Sequence, residues 1–264
     1  MPPILPHFEV HPGRGPYVLL VHGIISSREQ WCLNVAPLSE VCSPVVVELF
    51  GHGRSPAPED LAAYHPDRYV DAFEQIRADL GQERWIVLGQ SLGAALTLRY
   101  ALHHPTRVAA HILTNSNSAF AEPEWEEQLK PGMETLLRDV EREGAAALER
   151  MPIHPRHGRR LPTHVKSRLV AETKLHDPRG VALSLIGTAA KSGMGHQLER
   201  NQVPTLLLCG AREKRFETHR RKAEERMPLL EVVELDAAHA VNLEAHAEFN
   251  RLAVEFVSRH SPGL

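Results

Sequence analysis

Six short apolar runs, each ended by a polar turn, set the pattern of the chain: Tyr17 to Val21, Pro44 to Leu49, Trp85 to Leu88, Ala109 to Thr114, Thr205 to Cys209 and Leu230 to Leu235. Runs this short, rich in Val, Leu and Ile and mostly closed by Gly or Asn, predict strands buried on both faces of a mostly parallel sheet. Helical spacing lies between several of them. Asp67 to Leu80 puts Tyr69, Val70, Phe73, Ile76 and Leu80 near one face. Leu92 to His103 is a second helix, with Pro105 beyond its end as a stop. Alternating strands and helices predict a doubly wound α/β fold, whose ligands sit beyond the carboxyl ends of the strands.

One stretch breaks the alternation. From about Ser118 to Asn201 no strand-like run occurs, only amphipathic helical patterns with Pro interruptions. Glu124 to Glu149 is acidic and broken at Pro131-Gly132; His164 to His176 and Pro178 to Lys191 follow. The stretch reads as a helical cap, residues 118–201, inserted into a core made of 1–117 and 202–264. Ordinary crossover helices are the alternative, and the length disfavours them.

Composition changes this picture only by exclusion. A chain of 264 residues is long enough for one α/β domain with an insertion, or for two small domains. Its 42% hydrophobic and 24% charged content sets aside disordered and fibrous classes. A net charge of −3 gives no electrostatic reason to expect nucleic acid. No apolar run reaches the roughly 18 residues of a membrane span. Met1 to Val10 lacks a basic region followed by an apolar stretch, so no signal peptide is expected. Cys32, Cys42 and Cys209 are odd in number and form no CxxC pair, which argues against a disulfide framework or a zinc site and for a cytoplasmic home. Cys209, at the end of an apolar run, reads as a small buried hydrophobe.

The chemistry concentrates at Gly89-Gln90-Ser91-Leu92-Gly93, a G-x-S-x-G pattern directly after a strand run and before a helical one. A strand-to-helix turn this tight strains the serine backbone, and side chains two residues either side would collide with it; Ser91 is thereby pushed out at the sheet edge. A serine hydroxyl is a weak nucleophile and needs a base. Among 17 histidines, His239 stands out because it follows the last strand run, in the loop Asp236 to Ala240. An acid to orient it is expected after the preceding strand, where Glu213 is the carboxylate within reach. Glu213 sits among Arg212, Lys214 and Arg215, so a surface salt bridge is its rival role. The backbone N–H groups of Leu92 and of Ile24, the latter in the loop after the first run, are the candidate oxyanion donors. Gly23 is expected to let that loop turn so that the Ile24 N–H points inward.

On these residues the chain, from about Gly15 to its end, resembles the α/β-hydrolase superfamily. The matching segments are His22-Gly23, Gly51-His52-Gly53-Arg54-Ser55, Gly89 to Gly93 and Ala238-His239-Ala240. Small capped esterases, enol-lactonases and carbon–carbon bond hydrolases look most similar. The resemblance implies a mainly parallel eight-stranded sheet with a helical cap after the sixth strand. It also implies the chain order Ser, acid, His. Two positions depart from the pattern: Glu213 stands where aspartate is usual, and Asp236-Ala237-Ala238 where a glycine often precedes the histidine. Haloalkane dehalogenases and epoxide hydrolases of this fold carry aspartate where Ser91 stands, so an acyl-serine route is favoured.

The expectation is therefore hydrolysis of an ester, lactone or related acyl bond of a small molecule, with no cofactor and no metal. A lyase or C–C bond hydrolase on the same scaffold, or a ligand-binding protein with little turnover, are the alternatives. Gly51 to Ser55 reads as a structural turn. The basic stretch His154, Arg156, His157, Arg159, Arg160, His164, Lys166 and Arg168 reads as a solvated surface balancing the acidic Glu122 to Glu149, with a grip on an anionic substrate as the rival reading.

Overall fold

The computed structural model describes residues 4–261. Met1–Pro3 and residues 262–264, the outer ends of the two expected core segments, lie outside them, so only Ile4–Val10 of the opening stretch is described.

The strands are β1 (Phe8–Val10), β2 (Tyr17–Val21), β3 (Ser43–Val47), β4 (Trp85–Gly89), β5 (Val108–Thr114), β6 (Thr205–Gly210) and β7 (Leu230–Leu235). The helices are α1 (Val35–Leu38), α2 (Pro66–Asp79), α3 (Leu92–His103), α4 (Trp125–Glu143), α5 (Ala145–Glu149), α6 (Thr163–Glu172), α7 (Pro178–Gly187), α8 (Glu217–Arg226), α9 (Val241–Glu244) and α10 (His246–His260). The sheet order is β1-β3-β2-β4-β5-β6-β7, parallel throughout except where β1 runs against β3. The six apolar runs are six of these strands, to within two residues.

The sheet has seven strands among the described residues, not eight. β1 is too short and too exposed to show as an apolar run. A further strand hairpinned to it needs about five residues and a turn, and Ile4–His7 is too short for both. The long helical stretch accordingly follows the fifth strand. β7 is also half-exposed along its length rather than buried on both faces, because it closes the sheet at an edge.

Alternate residues of one strand enter opposite cores, which is the pleat expressed as two layers. Leu19, Val21, Trp85 and Val87 pack with Phe73, Ile76, Leu96 and Tyr100 of α2 and α3. Val18, Leu20, Ile86 and Leu88 pack with Phe249, Ala253, Phe256 and Val257 of α10. Burial on both faces is why these strands read as unbroken apolar runs.

Between β5 and β6 the described chain is helical and irregular, without a strand. The expected break at Pro131-Gly132 is absent: α4 runs through both residues and ends at Gly144, whose φ of +61° turns the chain into α5. Proline in a helix interior loses one backbone hydrogen bond. Burial of Met133, Val140 and the partly covered Leu129 and Leu136 outweighs that loss. No helix among the described residues is long and apolar enough to cross a membrane.

Candidate active site

Ser91 sits between β4 and α3 at φ +53°, ψ −116°, a conformation that non-glycine residues rarely hold. The flanking glycines permit it. A Cβ on Gly89 would strike Gly93, Ala94 and the Thr97 hydroxyl, and one on Gly93 would strike the Val21 carbonyl. The turn thus brings the start of α3 against the end of β2.

His239 follows β7, and its Nε2 lies 2.9 Å from Ser91 Oγ. Its Nδ1 lies 3.1 and 3.0 Å from the two carboxylate oxygens of Glu213, in the loop after β6. The tautomer consistent with both contacts has Nδ1–H donating to Glu213 and Nε2 accepting from Ser91 O–H. Arg212 turns away to hold Asp236 through both its Nε and Nη2, so Glu213 is left to the imidazole. Asn115, the first residue beyond β5, donates from Nδ2 to Glu213 Oε2 at 2.5 Å and accepts from the Gly210 N–H at 2.8 Å. It ties the acid to the end of β6. Nothing in the sequence marks Asn115 for this place.

Ile24 and Leu92 both line the cavity above Ser91, and their backbone N–H groups donate to no described residue. Leu92 is the first residue of α3, where an N–H has no acceptor within the helix. Gly23 serves in a way other than expected. Its φ is not positive; it is needed because a Cβ would lie 2.9 Å from Ser91 Cβ and 2.6 Å from Gln90 Oε1. The unusual backbone belongs to Ile25, a β-branched residue at φ +51°.

Two buried imidazoles brace that loop. Ile25 N–H donates to His52 Nε2 at 3.1 Å, while His52 Nδ1 contacts the Phe50 carbonyl at 2.9 Å. His22 contacts the Gly23 carbonyl through Nδ1 and accepts from Leu49 N–H at Nε2. Burial pushes both histidines down to about 3, so both stand neutral, able to donate at one nitrogen and accept at the other. The Gly51 to Ser55 turn is thus structural, as its glycines suggest, and it also seats the helical stretch. Gly53 N–H donates to His176 Nδ1 at 3.0 Å, Asp177 N–H donates to the Gly51 carbonyl, and Arg54 pairs with Glu172 at 2.8 Å. The His52 and His176 rings lie 5.1 Å apart.

A cavity of about 1100 Å³ opens above Ser91. Core loops line one side; Leu129, Met133, Leu136 and Met151 of the helical stretch line the other. Of the basic stretch, Arg156 pairs with Glu149, Arg160 with Glu244 and Arg168 with Glu29. Among the described residues no three His, Cys, Asp or Glu side chains gather as a metal cluster. Cys42 and Cys209 are buried, and burial raises both thiols to about 12.

The sequence profile of the alpha/beta hydrolase fold matches residues 16–246. This chain belongs to that family. It is 24% identical over 94% of its length, and 92% of the other's, to a protein of Bacillus subtilis (strain 168) described as a 2-succinyl-6-hydroxy-2,4-cyclohexadiene-1-carboxylate synthase. Among solved structures, MenH from S. aureus superposes with a TM-score of 0.85 at 17% identity, covering 97% of this chain and 99% of that one. The enol-lactonase from Burkholderia xenovorans LB400 superposes with a TM-score of 0.73 at 22% identity, covering 96% of each chain. At these identities the structural likenesses speak for the fold.

Proposed function

We propose that the chain is a serine hydrolase cleaving an ester, lactone or related acyl bond of a small molecule through an acyl-enzyme. The observation that carries this reading is the unbroken line Ser91 Oγ, His239 Nε2, His239 Nδ1, Glu213, with contacts of 2.9 to 3.1 Å. His239 takes the Ser91 proton as Oγ attacks the acyl carbon, and Glu213 stabilises the imidazolium that forms. Ile24 and Leu92 N–H groups receive the charge that develops on the acyl oxygen. His239 then returns the proton to the leaving group, and a water activated by the same imidazole frees the acid and restores Ser91. Residues 118–201 act as the cap that limits which substrates enter. A cytoplasmic location agrees with three free thiols.

A fluorophosphonate probe tests this without knowledge of the substrate. Labelling confined to Ser91, lost in Ser91→Ala, is the expected result, and no labelling of folded protein would refute an activated serine. The relationship to the Bacillus synthase favours one second reading, proton abstraction and elimination by the same three residues without an acyl-enzyme. Turnover with no acyl-Ser91 trapped by mass spectrometry would select it.

A further inference from the structure

Seven charged side chains line the cavity; four have an oppositely charged partner, and Glu213 is held by the neutral imidazole of His239. Arg150 pairs with Glu143, Arg160 with Glu244 and Asp139 with Arg142. Arg159 and Arg215 make neither an ion pair nor a side-chain hydrogen bond with any described residue. They reach the cavity from its two sides: Arg159 from the helical stretch, Arg215 from the core loop two residues past Glu213. The Trp125 side chain lines the same cavity, and its buried indole N–H has no acceptor among the described residues. Both arginines are exposed residues on an otherwise largely apolar lining, so solvent and salt screen their pull on an anion and direct hydrogen bonding carries the recognition. Guanidinium groups match carboxylate and phosphate oxygens in pairs.

We infer that Arg159 and Arg215 select substrates that carry an oxyacid group, carboxylate or phosphate, away from the scissile acyl bond. This rests on the cavity being the substrate site of the proposed hydrolase, and it adds the substrate's charge. The uncharged part of the substrate lies against Leu129, Met133 and Leu136, while the acid group stays at the arginines. Being unpaired does not by itself mark a site, because Arg14 and Arg179 are unpaired outside the cavity. Arg179 accordingly serves as the control.

The test is binding to Ser91→Ala, in which turnover does not enter, by calorimetric titration with three probes: monomethyl glutarate, methyl 4-phosphonobutanoate and the uncharged dimethyl glutarate. At least one acid probe is expected to bind roughly ten-fold or more tightly than the diester, the magnitude of a hydrogen bond to a charged group. The ratio of the two acid probes tells carboxylate from phosphate. Arg159→Gln with Arg215→Gln should abolish the preference, and Arg179→Gln should leave it. Both arginines are exposed and unpaired, so the variants should melt like the parent. Equal binding of all three probes, no binding of any, or a preference that survives the double variant or falls equally with Arg179→Gln would overturn the inference. Whether Ser91 is an activated nucleophile is decided separately, by fluorophosphonate labelling of the wild type.

Discussion

At the residue scale, Glu213 has two neighbours that matter and one of them was invisible in the sequence. Ser91, His239 and Glu213 could be picked out because each stands just past the end of an apolar run, and parallel strands carry all such ends to one edge. Asn115 stands just past β5 in the same way, but an asparagine there is also an ordinary strand stop. Its partners, Glu213 and Gly210, are 98 and 95 positions away. The imidazole brace of His52 on Ile25 was hidden for the same reason. Asn115 holds one carboxylate oxygen and a β6 backbone donor together, so its loss should let Glu213 turn away from His239. Asn115→Ala is expected to slow fluorophosphonate labelling of Ser91 about ten-fold, the cost of one hydrogen bond to a charged group. Glu213→Gln should cost far more, on the order of 10³-fold, because its amide can present N–H to Nδ1 and stabilise the wrong tautomer. Equal rates for Asn115→Ala and wild type would show that Glu213 holds its place unaided.

At the scale of elements, strands were easier to place than helix ends. β2 and β7 match their apolar runs residue for residue; β2 is buried from Val18 to Val21, whereas β7, an edge strand carrying Glu231 and Glu234, keeps its apolar residues between exposed ones. The helical stretch holds no strand among the described residues, and its first helix ends at Gly144 rather than at Pro131. Local propensity marked the proline; the apolar face of α4, visible only once α7 packs on it, decided the matter. Two glycines follow opposite rules here. Gly132 is inside α4, and a Cβ there would have nothing within 4 Å. Gly132→Ala should therefore stabilise the protein by about 0.5–1 kcal/mol through helix propensity alone. Gly51 has φ +75°, and its Cβ would run into the backbone of Gly180, where α7 begins. Gly51→Ala should destabilise by about 2 kcal/mol or more, through strain and the unseating of α7. Urea unfolding of the two variants checks both signs, and the same sign for both would contradict this account of how the helical stretch is seated.

At the scale of the whole molecule, buried imidazoles tie stability to pH. His22, His52 and His111 are fully buried and His176 nearly so; burial lowers the first three from 6.5 to about 3 and His176 to about 2. Between those values and 6.5 the unfolded chain binds protons at these positions and the folded chain does not. Their contribution to stability is therefore complete above about pH 6.5 and declines as the pH falls, by up to about 1.4 kcal/mol per pH unit for each group. By pH 5 the four together remove about 8 kcal/mol, comparable to the whole stability of a domain this size. Carboxylates held low by arginines, such as Glu172 beside Arg54, add their loss only below about 4.5. The loss should therefore begin earlier than ordinary acid denaturation. Urea midpoints taken from pH 7.5 to 5 should fall steeply, with protons taken up on unfolding. His111→Gln, which removes one such group without touching the loop of Ile24 and Ile25, should flatten the slope by less than a quarter, since burial also lowers His65, His103, His154 and His219. Midpoints that stay level across that range would mean that these histidines reach solvent while the protein is folded.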